Sequence, residues 1–156
     1  MRKLIDDIKQ QPTYLNITIG LCLLVFIISL TQPAFYIYNK EDPNAYSDSF
    51  ILFLLGWMSF LGGAFIPFVI WLANPLFFLS IILTIRKKSF GLYSALGATC
   101  LAFVFSQLNT IITSESGGTS VITGRGLGFK LWFASFIILT IGLILIRILT
   151  NYYKKT

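Results

Sequence analysis

Among the polar side chains inside otherwise apolar stretches, Asn74, Gln107, Asn109 and Ser135 form the constellation that could do chemistry. Amides and hydroxyls can bind a neutral solute, line a pore, or tie one helix to another. They do not titrate, which counts against a proton-coupled transporter. The same stretches hold no Asp, Glu, Lys, Arg or His apart from Lys130 and Arg147 at the rims. Proton-coupled carriers keep such groups at depth because burying a charge is costly and is tolerated only for use. A nucleophile needs a base beside it, and Ser106 and Ser135 have none at a comparable position. Asp48 and Glu115 form the remaining carboxylate pair, on two polar loops, where solvated charge is the ordinary reading. There is no His, and Cys22 and Cys100 both lie in apolar runs, so neither a metal site nor a disulfide framework is expected. The chemistry available is that of a non-enzymatic protein with no metal and no cofactor.

The elements that must position these groups are set by one long uncharged run, Phe50 to Ile85. A membrane crossing needs about 20 residues, and this run would extend about 54 Å as one straight helix. It divides most simply into an interfacial segment, 50–63, containing Gly56, Gly62 and Gly63, and a spanning segment, 64–85. Pro75 lacks a backbone donor and crowds the preceding turn, so the span is expected to kink at Asn74-Pro75. The carbonyl freed there needs a partner that lipid cannot supply. Asn74 or a neighbouring helix could provide it.

Three further spans follow from apolar length: 15–31, 90–112 and 129–149. The first is followed by Thr31-Gln32-Pro33-Ala34-Phe35, with no small-x-small cleavage site, and reads as a retained helix. In 90–112 the small residues Gly91, Ser94, Ala95, Gly97, Ala98 and Ala102 line one half, at spacings of three and four that let another backbone come close. The expected fold is therefore all-α, a four-helix transmembrane bundle with a kinked second helix in a single domain, 1–156.

Charge orients it. Of the 12 Lys and Arg residues, nine fall in the segments at one end: Arg2, Lys3, Lys9, Arg86, Lys87, Lys88, Arg147, Lys154 and Lys155. Three fall at the other: Lys40, Arg125 and Lys130. The positive-inside rule then places both termini in the cytoplasm, in a multi-pass protein of the cell (cytoplasmic or inner) membrane. The net charge of +6 is thus distributed as topology requires. It is not gathered on a folded face, so no nucleic-acid partner is expected.

Two outer loops result. Phe35-Tyr36-Ile37-Tyr38 and Ser120-Val121-Ile122-Thr123 are rich in strand formers and bounded by turn residues. The outer ends of the first and last spans must be near each other in a compact bundle. The two segments are therefore expected to pair as a small β element. Gly124-Arg125-Gly126-Leu127-Gly128 touches the dinucleotide-binding pattern, but a membrane span follows it where a βαβ unit is needed. A ligand or partner pocket on this side would draw on Asn74, Gln107, Asn109, Ser135, Trp57 and Trp132. The plainer reading of the amides is hydrogen-bonded glue between helices.

Gly56-Trp57, the stretch Trp71-Leu72-Ala73-Asn74-Pro75-Leu76, the basic loop Arg86-Lys87-Lys88, and Gly126 through Ser135 together resemble a group of small four-helix bacterial membrane proteins without an assigned activity. The resemblance spans about Phe50 to Gly142. It implies four helices in a bacterial cytoplasmic membrane and carries over no catalytic or binding residue. In size and topology the chain is also similar to immunity proteins against pore-forming bacteriocins, though no motif is shared. The expected function is to bind a partner in the lipid bilayer: another membrane protein, as an accessory or immunity-like protein, or a second copy of itself. Two alternatives remain: a small oligomeric channel or carrier for a neutral solute, and an outer-face binder of a ligand or lipid.

Overall fold

The computed structural model describes residues 2–40, 42, 45–112 and 118–155, with side chains described over 13–40, 42, 45–112 and 118–150. In chain order the elements are α1 (Arg2–Leu30), β1 (Pro33–Ile37), β2 (Tyr46–Asp48), α2 (Ser49–Leu55), a 3-10 helix (Gly56–Phe60), α3 (Phe65–Trp71), α4 (Ala73–Ile85), α5 (Phe90–Gln107), β3 (Thr110–Ile112), β4 (Thr119–Arg125) and α6 (Leu127–Lys155). Four segments are long and apolar enough to cross a membrane: Thr13–Leu30, Phe65–Ile85, Phe90–Gln107 and Leu127–Thr150.

Small and hydroxyl side chains set the helix contacts. Ser80 Oγ donates to Gly91 O at 2.8 Å and Ser94 Oγ to Leu76 O at 3.0 Å, joining α4 to α5. Thr99 Oγ1 and Thr140 Oγ1 lie 2.9 Å apart between α5 and α6. Of the small residues of the third span, Gly91, Ala95, Ala98 and Ala102 are buried and form the packed stripe of α5, while Ser94 and Gly97 are half-buried beside it. Between α1, α4 and α6 the core is aromatic. Phe26 stacks on Phe77 at 5.2 Å between ring centroids, and Phe77 meets Phe136 at 4.8 Å.

The expected kink is displaced. The helix breaks at Leu72, three residues before Pro75, which then occupies the first turn of α4. The reason is the ordinary tolerance of that turn: its N–H groups lack intrahelical partners, so a residue without one costs nothing there. The interfacial segment also does more than lie flat. α2 and its 3-10 extension fold back on α3 through a turn at Gly63, whose φ of +72° suits glycine. Trp71 Nε1 donates to Phe53 O at 2.9 Å and closes this short hairpin.

The all-α expectation needs correction as well. A four-stranded antiparallel sheet of order β2-β1-β4-β3, curled as a half-barrel, caps one end of the helices. The expected pairing of the two loop segments is present. Phe35 lies opposite Arg125, Tyr36 opposite Gly124 and Ile37 opposite Ile122. Bulges on both sides of β1 help to bend it. Two strands were not anticipated. Thr110–Ile112, read as the end of a span, leaves the helix after Gln107 and pairs with Thr119–Val121. Tyr46–Asp48 pairs with β1. Three consecutive β-branched residues, Thr110 to Ile112, favour a strand over a helix end once a partner lies alongside.

Candidate functional site

Asp48, at the end of β2, builds the first wall of the site. Its Oδ1 accepts from Phe50 N at 2.8 Å and Ile51 N at 3.0 Å, capping α2. The next residue, Ser49, donates its hydroxyl to Gln32 O at 2.6 Å. These bonds fasten the start of α2 to the chain just beyond the end of α1. α6 begins at the same level. A Cβ on Gly128 would collide with Ser49 Oγ and Gln32 O, so only glycine lets α6 approach this junction. As a cap, Asp48 has a structural task. Glu115, its proposed companion, lies outside the described residues.

The opposite wall is the sheet. β1 presents Ala34 and Phe35 inwards, both buried, where Phe35 meets Phe105 with 5.4 Å between rings. Phe105 in turn meets Phe129 at 5.1 Å. Arg125, at the end of β4, reaches back to the last turn of α5 and donates to Leu108 O at 2.7 Å and Phe105 O at 3.4 Å. A cation there complements the negative end of the helix. Its Nε is the one buried side-chain nitrogen or oxygen without a hydrogen-bond partner among the described residues.

The floor is a polar knot. Pro75 has no N–H to offer the carbonyl of Trp71. Asn74 Nδ2 donates to that carbonyl at 3.1 Å. Asn74 Oδ1 accepts from Trp132 Nε1 at 2.8 Å. An indole nitrogen can only donate and a carbonyl can only accept, so the two partners fix the orientation of the amide. Asn74 therefore supplies the missing partner at the break and ties α4 to α6. Below it lie Phe26, Phe77, Phe136 and Leu139, each at most 2% exposed.

Floor and walls enclose a cavity of about 320 Å³, within the range of small-molecule sites. Nineteen of its 23 lining residues are apolar or glycine; the others are Ser29, Ser49, Ser59 and Asn74. All three serine hydroxyls already donate to backbone carbonyls, those of Phe26, Gln32 and Gly56. Among the described residues the lining carries no charged group.

Of the six residues expected to form a pocket, Asn74 and Trp132 line this cavity together. Ser135 is fully buried one turn away and donates to Trp132 O at 2.6 Å, outside the lining. Gln107 is exposed and donates to Ser106 Oγ. Asn109 is exposed, and its carbonyl accepts from Ile122 N at 2.8 Å, in line with the β3–β4 pairing. Trp57 is 45% exposed and does not line the cavity. The residues missed by sequence reasoning are aliphatic and aromatic, among them Leu52, Ala64, Ile70, Phe105 and Ile111. Their types carry no signal that separates a cavity wall from a lipid-facing surface. No protein-family model matches the chain, no curated protein matches it, and no solved structure matches it.

Proposed function

We propose that this chain is a non-enzymatic, multi-pass protein of a bacterial cytoplasmic membrane that binds an apolar guest at its outer face. In this reading the four long helices form a transmembrane bundle with both termini cytoplasmic, and the sheet is the outer cap. The observation that carries the function is the cavity of about 320 Å³ beneath the sheet, whose lining among the described residues is mostly apolar and without charge. It is the best supported of the three functions open to the sequence. The channel reading requires a water path past Asn74. The amide is engaged on both sides, and close-packed rings lie beneath it. The partner-protein reading keeps one specific support: β2 and β3 form the two edges of the sheet, where another strand could add.

Mass spectrometry of the protein released intact from its native membrane tests the proposal. The expected result is a stoichiometric small-molecule adduct on the wild-type chain. Ala34→Phe, which fills the cavity from the sheet side, should lose it. An adduct-free wild-type protein, or an adduct indifferent to filling, would count against a guest in this cavity.

A further inference from the structure

The geometry points to a lipid hydrocarbon chain as the guest, admitted sideways from the outer leaflet through the gap between α2 and β3. This inference rests on the binding reading above and adds the class of the guest and its route.

Depth comes first. The α6 span, Leu127–Thr150, has 24 residues, about 36 Å of helix against a hydrocarbon core of about 30 Å. Centred, it overhangs by about 3 Å at each end. Trp132 stands five residues into α6, about 8 Å along its axis, so the floor of the cavity lies inside the hydrocarbon. The α2 side is equally deep. α2 starts beside Gln32, next to the end of the α1 span. By Phe53 it has reached Phe26, one turn inside that end, with 5.6 Å between rings. α2 therefore descends into the membrane, and its outward residues face lipid.

The mouth comes second. Of the lining residues, Ile51 and Leu55 of α2 and Ile112 of β3 are open to the surroundings, at 56%, 52% and 39% exposure. A water-facing mouth framed by isoleucine and leucine would hold a large apolar patch in solvent. Against lipid the same frame is at no disadvantage.

The walls come third. The serine hydroxyls and both indole N–H groups of the lining already donate within the protein. The second Nδ2 hydrogen of Asn74 is the remaining side-chain donor. A water-soluble guest entering here would leave most of its polar groups unpaired. A methylene chain has none to satisfy, and its headgroup can stay at the interface.

Tryptophan fluorescence in vesicles tests this directly. Trp57→Phe removes the exposed indole and leaves Trp71 and Trp132, both at the cavity. The protein is reconstituted in phosphatidylcholine, with and without bromine on the acyl chains, and titrated separately with iodide. The expected result is quenching by the brominated chains, little quenching by iodide, and loss of the bromine-dependent quenching on filling the cavity with Ala64→Leu or Ala34→Phe. These two changes fill from different walls, so a folding defect in one leaves the other to decide. Bromine quenching that survives both fillings would mean that surrounding lipid alone reaches the indoles, and the inference falls. Iodide quenching without a bromine effect, relieved by filling, would mean a mouth open to water. That sinks the lipid route and leaves a binder of another guest. Indoles reached by neither quencher would overturn both readings.

Discussion

Asn74 is the residue on which most of the arrangement turns. Its two polar atoms meet two different needs: the carbonyl that Pro75 cannot satisfy, and the indole N–H of Trp132. Such a group does not need a ligand to account for its burial, because buried polar atoms are ordinarily paired. It still lines the cavity, so packing and site coincide at one side chain. Asn74→Leu strands both partners in a place without water. Leaving a buried polar group unpaired costs about 1–3 kcal/mol each, while a single interhelical hydrogen bond in a membrane protein is worth about 0.6 kcal/mol. The expected net loss is about 1–2 kcal/mol, the lower part of the first range, because denatured helices in a membrane also find partners. Chemical unfolding in micelles measures it. An unchanged unfolding midpoint would mean that the Asn74 bonds are not held in solution.

At the scale of elements, the sheet and the α2–α3 hairpin do what the spans alone cannot. An isolated two-stranded ribbon is marginal in water. Here four strands share one sheet, and its inner side packs Ala34 and Phe35 on Ile70, Phe105 and Phe129. The prediction is slow amide exchange for the paired residues of 35–37 and 120–125, slower than in the loop around Lys40. Fast exchange through both strands would leave the cavity without a roof. The hairpin adds the third wall because α2 is only seven residues long and ends where Gly56 and Gly62-Gly63 interrupt the run. A helix of full length in its place would have crossed the membrane.

The whole molecule has two unlike ends. One carries the sheet, the cavity and three of the 12 basic residues; the other carries the nine that the positive-inside rule assigns to the cytoplasm. In the proposed topology an even number of crossings puts both termini on that side. A periplasm-active reporter fused to the C-terminus is expected to stay silent, while the same reporter in the segment between α5 and α6 should be active. A signal from the C-terminal fusion would sink this topology; with the four crossings kept, it would invert the bundle and the sheet end with it. The cavity would then face the cytoplasm, and the binding proposal would need a cytoplasmic-leaflet guest.

The sequence alone determined what depends on composition along the chain. Apolar length yields four candidate spans, and the small residues of 90–112 include the buried stripe of α5, Gly91, Ala95, Ala98 and Ala102, with Ser94 and Gly97 half-buried beside it. Strand formers between turn residues yield the pairing of the segments 35–38 and 120–123, and the structure sets its register, Phe35 opposite Arg125 and Ile37 opposite Ile122. Each of these is a local property, or needs only that neighbouring span ends meet. Asn74 stands out because a polar atom in an apolar run does, and the structure places it in the cavity lining beside Trp132. What only the tertiary structure decided is whatever depends on a partner brought from elsewhere in the chain. Thr110–Ile112 could end a helix or form a strand, and β4 alongside makes it a strand. The helix could break at Pro75 or before it, and Asn74 and Trp71 hold the break at Leu72. Above all, the cavity is made of ordinary Leu, Ile, Ala and Phe residues. An apolar side chain has the same identity against lipid, in a core or around an empty space, and only the packing of the elements distinguishes them.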